Sequence, residues 1–299
     1  MKILLLGANG QVGTELTHFL APLGELLCCD RQQADLTDAE NLQRVIREFS
    51  PDVVVNAAAY TAVDSAESDA DIAYSVNKTA VGVIAAEVEK LGGWLVHYST
   101  DYVFDGAKSE AYNEQDPANP LNVYGKSKYY GEQAISDSGC KHFILRTSWV
   151  TGFSGNNFVK TIFRLAQERD SISVVVDQRG VPTSAEMIAQ VTFDLLSHLS
   201  KHANSSGVYH MAPNGETTWH EIAQRIVLAS QQNGYKLLLQ PENIRAIPAV
   251  EYPTPAARPM NSTLDTTKLQ SLLTFKLPDW QQGVDRVVAR LCEQQTTVN

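Results

Sequence analysis

Cysteine is scarce. Four occur among 299 residues, at Cys28, Cys29, Cys140 and Cys292, and no two stand at CxxC spacing. That excludes a disulfide-framed secreted domain and a zinc ribbon; it reads as buried free thiols in a reducing cytosol. Long apolar runs are also lacking. MKILLLG places only Ile3 to Leu6 ahead of Gly7, short of a signal-peptide core of about 7–15 residues, and no stretch nears the roughly 18–20 residues of a membrane span. Positive charge is in deficit: 24 Lys and Arg stand against 34 Asp and Glu, a net charge of −10. Such a balance opposes non-specific attraction to nucleic acid or to an anionic membrane. We therefore expect a cytoplasmic chain with neither nucleic acid nor membrane as partner, while a small anion held in a local site stays open.

What is present is ordinary globular composition, 43% hydrophobic and 19% charged. The length suits about two domains of roughly 150 residues. In the first half, continuous apolar runs alternate with helical stretches: Lys2 to Leu6, Glu25 to Asp30, Asp52 to Asn56, Trp94 to Ser99 and His142 to Arg146. Continuous rather than alternating apolar strands, separated by helices, predict a parallel sheet covered on both faces. Capping boxes are expected at Thr37-x-x-Glu40, Thr183-x-x-Glu186 and Thr218-x-x-Glu221. Beyond residue 150 strands thin out and Pro-rich loops appear, notably Tyr252-Pro253-Thr254-Pro255. The expected division is a nucleotide-binding domain over 1–150 and a smaller cap built mostly from 151–299, with some segments returning to the core.

Gly7-Ala8-Asn9-Gly10-Gln11-Val12-Gly13 follows the first strand and opens a helix. Absent Cβ atoms allow a tight turn and a pyrophosphate against the backbone, and the helix N-terminus offers free N–H groups to an anion. Asp30 ends the second strand 17 residues after Gly13. A carboxylate there accepts from ribose hydroxyls, favouring NADH, whereas Arg31 suits the 2′-phosphate of NADPH. The two cofactors stay open. Asp35 and Leu36 either flank the adenine or serve helix capping.

Tyr124-Gly125-Lys126-Ser127-Lys128 is a YxxxK pattern in a predicted helix. Positions i and i+4 share a face, and the expectation is that the Lys128 ammonium lowers the Tyr124 pKa towards working pH. Ser99-Thr100 ends a strand 24 residues earlier, placing a hydroxyl at the carboxyl edge, where ligands bind in open α/β sheets.

This ordered set resembles the extended, nucleotide-sugar-modifying branch of the short-chain dehydrogenase/reductases. The segments VVVNAAAYTAVDSAE (53–67), HYSTDYVFDG (97–106), PLNVYGKSK (120–128), RTSWV (146–150), GNNFVKT (155–161) and YPTPAARPMNSTLD (252–265) resemble the dTDP-4-dehydrorhamnose reductase family along nearly the whole chain. The resemblance implies an α/β fold: a Rossmann-type doubly wound parallel sheet with a smaller α/β C-terminal cap. It implies a reductase using NADPH or NADH on a dTDP-sugar. Gly7, Gly10, Gln11, Val12 and Gly13 would hold the pyrophosphate and Asp30 the adenosine ribose. Ala59, Tyr60, Thr61 and Tyr98 would line the cofactor. Tyr124 would be the acid, Lys128 its partner on the nicotinamide ribose, and Thr100 a donor to the ketone oxygen. Thr100 and Asp101 would touch the sugar and Trp149 would pack on it. Asn157 and Arg258 would engage the dTDP portion, Arg258 through its bidentate fork, though a loop arginine is also open to a plain surface role.

Rival readings are a nucleotide-sugar epimerase of the same superfamily and a nucleotide-binding regulatory subunit. A dehydratase is disfavoured, since Tyr102 stands where that branch carries a Glu after the Thr-Asp pair. Some relatives are described as homodimers bridged by Mg²⁺ through glutamates. Glu15 and Glu186 are the candidates here, but Arg290 stands where a further Glu is expected, so no metal site is assigned. His97 reads as a satisfied core histidine, and Trp219 and His220 as packing or cap residues at a helix start.

Overall fold

The computed structural model describes residues 1–298. The first half runs β1 (Lys2–Leu6), α1 (Gln11–Leu20), β2 (Glu25–Cys29), α2 (Ala39–Phe49), β3 (Val53–Asn56), α3 (Ala70–Tyr74), α4 (Ala80–Leu91), β4 (Trp94–Thr100), α5 (Val123–Ser138) and β5 (Lys141–Thr147). The second half runs α6 (Phe158–Glu168), β6 (Ile172–Val175), β7 (Arg179–Gly180), α7 (Ala185–Ser197), β8 (Gly207–His210), β9 (Thr217–Thr218), α8 (Trp219–Gln232), β10 (Ile244–Ile247), α9 (Thr267–Gln270) and α10 (Trp280–Val298).

One parallel sheet has the order β2-β1-β3-β4-β5-β8. Its strands are apolar on both faces because both are covered. Ile3 and Leu5 face Leu16 and Leu20 of α1 and Ile188 and Val191 of α7. Leu4 and Leu6 face Leu42 and Ile46 of α2 and Ile84 of α4. Each such side chain is almost fully buried, stabilising the fold by about 1.5–3 kcal/mol. The doubly wound α/β architecture expected from the strand pattern is therefore present. From the second half, α7 and β8 lie on this sheet; α6, α8 and α10 build a separate core around Val159, Ile162, Ile226 and Val288, beside the short β6–β10 and β7–β9 ribbons.

Two of three expected capping boxes shift by one residue. Thr37 bonds back to Asp35, its N–H and hydroxyl both 2.8 Å from Oδ1, so Asp38 caps α2 instead. Ser184, not Thr183, caps α7. Thr218 and Glu221 form the expected reciprocal box on α8.

Strand order reverses at β1, and chain leaves β1, β3, β4 and β5 at the same carboxyl edge. That edge is where such sheets hold ligands.

Candidate active site

A cleft of about 830 Å³ opens along this edge, lined from Gly7 and Asp30 at one end to Trp149 and Trp219 at the other. The glycine turn forms its floor. Gly7 has φ +79°, and a Cβ there would lie 2.7 Å from the Ala58 nitrogen, after β3. A Cβ at Gly13 would lie 2.0 Å from the Gly7 carbonyl oxygen. Gly13 thus packs α1 against the turn and does not line the cleft, while Gly10, Gln11 and Val12 do. Gly10 caps α1 without a side chain, leaving the first N–H groups of the helix free for an anion. Asp30 accepts from Gln32 N and Gln33 N at 2.9 and 3.2 Å and from Asn9 Nδ2 at 3.1 Å. Arg31, beside it on the cleft, bonds to Asp35 at 3.3 Å. Leu36, Ala59, Tyr60 and Thr61 line the same stretch. The Tyr60 turn is fixed by buried Asn77, which accepts from Tyr60 N and donates to Tyr60 O and Ser127 Oγ. The donor-rich turn, the carboxylate and the apolar walls fit a dinucleotide.

At the other end stand the YxxxK residues. Asn122 caps α5, accepting from Gly125 N at 2.7 Å. Gly125 is required there, because a Cβ would lie 2.2 Å from the Tyr102 carbonyl oxygen; the helix thereby meets the turn that carries Thr100 and Asp101. Lys128 is buried and donates to Tyr98 O at 2.6 Å, with His97 Nε2 at 3.2 Å. An amine nitrogen has three positions beyond its carbon; two are taken here, and the third is left to the cleft that Lys128 lines. Asn56 Nδ2 lies 3.2 Å from His97 Nδ1. With Asn56 donating, a neutral imidazole bears its proton on Nε2, which a free amine accepts and an ammonium opposes. Burial pushes Lys128 down to about 8 and His97 well below its ordinary value.

The expected acidification of Tyr124 is not found. Desolvation pushes the phenol up to about 12, Thr100 lowering it and Asp101 raising it. Lys128 is turned to Tyr98 and His97 and does not offset that cost. A phenol held protonated at neutral pH is a proton donor, which suits reduction better than oxidation.

Asp101 is buried, and burial raises its carboxyl to about 6 against the Ser262 and Thr100 hydroxyls. Its Oδ2 and the Thr147 hydroxyl, both on cleft-lining residues, have no hydrogen-bond partner among the described residues. Orphaned buried polar atoms call for a polar ligand. Behind them, Glu132 accepts from Ser99 Oγ at 2.5 Å and from Arg146 Nε and Nη2 at 2.9 and 2.6 Å, a buried pair that braces β4, α5 and β5 together.

Trp149 lines the cleft with φ +46°, a backbone region that costs a bulky residue of order 1–3 kcal/mol. Two other expected ligands do not line the cleft and are bonded to protein partners. Asn157 caps α6 and donates to Gln11 Oε1 and Gly152 O. Arg258 forms a two-point pair with Asp64, at 3.0 and 2.7 Å. Glu15 pairs with Arg290 and Glu186 with Arg286, cations occupying the partners a bridging metal would need. Asn56, Tyr102 and Trp219 also line the cleft; from sequence none of them carries a site role, Asn56 reading as a strand end, Tyr102 as the residue that replaces a dehydratase Glu, and Trp219 as packing or cap.

A family model described as the RmlD substrate binding domain matches residues 1–293. The chain is 47% identical to a dTDP-4-dehydrorhamnose reductase of Burkholderia thailandensis, over 98% of this chain and 100% of that one. It is 44% identical to a dTDP-4-dehydrorhamnose reductase of Shigella flexneri, over 97% and 98%. Among solved structures, the dTDP-4-dehydrorhamnose reductase of Bacillus anthracis str. Ames in complex with NADP gives a TM-score of 0.88 at 36% identity, over 97% of this chain and 100% of that one.

Proposed function

Because the chain belongs to the dTDP-4-dehydrorhamnose reductase family, we infer that its cleft reduces the C4 ketone of dTDP-4-dehydro-L-rhamnose with NAD(P)H to dTDP-L-rhamnose, a donor for cell-surface polysaccharide. The observation that carries the reading is a protonated phenol, an anion-ready glycine turn and orphaned polar atoms in one cleft.

Gly7, Gly10 to Val12, Asp30 and Tyr60 would hold the cofactor, whose chemistry when bound would be hydride supply. Tyr124 then does the proton chemistry. As negative charge grows on the ketone oxygen, its phenol hands over a proton, and the Thr100 hydroxyl donates to the same oxygen. Lys128 would offer its one remaining position to the cofactor ribose, on the helix face it shares with Tyr124. Asp101 and Trp149 hold the sugar. Arg258 reaches the diphosphate by exchanging Asp64 for it. In this reading 1–150 holds the cofactor and also carries Thr100, Asp101, Tyr124 and Trp149 for the sugar, while 151–299 covers the site and brings Arg258 to the sugar nucleotide, in a cytoplasmic setting.

The test is absorbance of the reduced cofactor on adding the keto-sugar nucleotide. The reading expects one cofactor oxidised per dTDP-L-rhamnose formed; binding without net oxidation points to an epimerase or a passive binder and overturns it.

A further inference from the structure

We propose that Trp219 is a positioning residue for the sugar site, holding the Trp149 indole as a fixed wall of the cleft. The inference rests on reading Trp149 as the residue that packs on the sugar, and goes beyond it by naming what keeps that residue in place. The two indoles stack with centroids 3.8 Å apart and planes inclined by 22°. Against the same Trp149 ring lies Gly180, where a Cβ would stand 2.6 Å from Cζ2 and 2.8 Å from Cε2. Trp149 is thus held in a slot between a glycine and a second indole. Both contacts come from one ribbon: Gly180 of β7 pairs with Thr217 of β9, and Trp219 follows two residues later as the first residue of α8.

Trp219 is itself anchored. Its Nε1 donates to buried Gln178 Oε1 at 3.1 Å, and Phe158 packs on it at 4.7 Å. The Trp149 backbone is tied down beside it, with Ser148 Oγ donating to Val181 O and Thr151 N to Thr183 O. These bonds fix a left-handed backbone but not the ring; the ring is set by the slot. Yet both indoles are only half-buried and both line the cleft. An aromatic pair that served only the core would not face the ligand. The slot covers the faces of the Trp149 ring and leaves its edge to the cleft, and a fixed apolar edge there holds the sugar with its ketone carbon against Tyr124 and Thr100.

The test compares Trp219→Ala, Trp219→Phe and Trp149→Ala, assayed with NADPH and the keto-sugar nucleotide, with circular dichroism of each. The wild-type stack gives an indole exciton band, which all three variants lose. Trp219→Ala is expected to raise KM for the sugar nucleotide about three- to tenfold and to lower kcat, with KM for NADPH unchanged; Trp219→Phe, which still stacks, restores most of both. If Trp219→Ala leaves sugar KM and kcat within about twofold while Trp149→Ala damages them, the positioning role is overturned and the sugar site stands. If Trp149→Ala is also silent, the underlying reading of Trp149 fails. A loss of NADPH KM equal to that for sugar, or a folding defect that Trp219→Phe does not relieve, marks Trp219 as ordinary core and also overturns the inference.

Discussion

Asp101→Asn should stabilise the protein while harming its activity. The residue is 2% exposed and its Oδ2 lacks a partner among the described residues, and burial raises its pKa from 3.8 to about 6. A folded pKa above the unfolded one means that the native state holds the proton more tightly. Stability from this group is complete below about pH 4 and is lost as pH rises through about 6. Two pK units correspond to about 3 kcal/mol, the cost of carrying this charge at neutral pH. Asparagine keeps the shape, removes the charge and leaves one polar atom without a partner just as the neutral carboxyl does, so the net gain at neutral pH is at most about 3 kcal/mol. Urea unfolding at about pH 8 and about pH 4 measures it. The variant should be the more stable at the higher pH and level with wild type at the lower, with reduced turnover on the keto-sugar nucleotide. Equal differences at both pH values, or a variant weaker at pH 8, would refute the reasoning.

Tyr124→Phe should lose about 10²–10⁴-fold in kcat yet keep cofactor affinity, read by fluorescence titration with NADPH. Lys128, at about 8 in the free protein, should give kcat/KM for NADPH a limb that falls as pH rises through about 8, because the ammonium is the form that helps bind the cofactor; Lys128→Met should lower the plateau and remove the limb, and a limb that persists in the variant contradicts the assignment. Gly13→Ala puts a methyl 2.0 Å from the Gly7 oxygen and should abolish NADPH binding, measured by calorimetry, or lower Tm by more than an exposed Gly→Ala change does.

The fold was legible where the signal is local. The five strands of the first half are largely apolar runs, four of them bounded by Gly, Pro or Asn, and they fall within a residue or two of the observed ends. The glycine turn and YxxxK were legible because their spacing is itself geometry: a turn that excludes Cβ atoms, and one helix face. What was not legible depends on partners far apart in the chain. Lys128 sits on α5 and its partner His97 on β4, so neither the burial that lowers the lysine nor the contact that turns it from Tyr124 has a sequence pattern. That is also why the expected effect on Tyr124 came out reversed. Arg258 lies 194 residues from Asp64, and Trp219 meets Trp149 only because the β7–β9 ribbon folds across. The capping shifts at Thr37 and Thr183 have a smaller cause, a neighbouring Asp or Ser that competes for the same N–H groups.

The most direct test of the central claim is a label transfer. Purified protein is mixed with the keto-sugar nucleotide and reduced cofactor deuterated at nicotinamide C4, and the product is read by NMR. The account predicts one deuterium on C4 of the rhamnosyl product in wild type, with Tyr124→Phe transferring it orders of magnitude more slowly while binding the cofactor as tightly. Deuterium retained on the cofactor while the sugar is altered, or full-speed transfer in Tyr124→Phe, would contradict it.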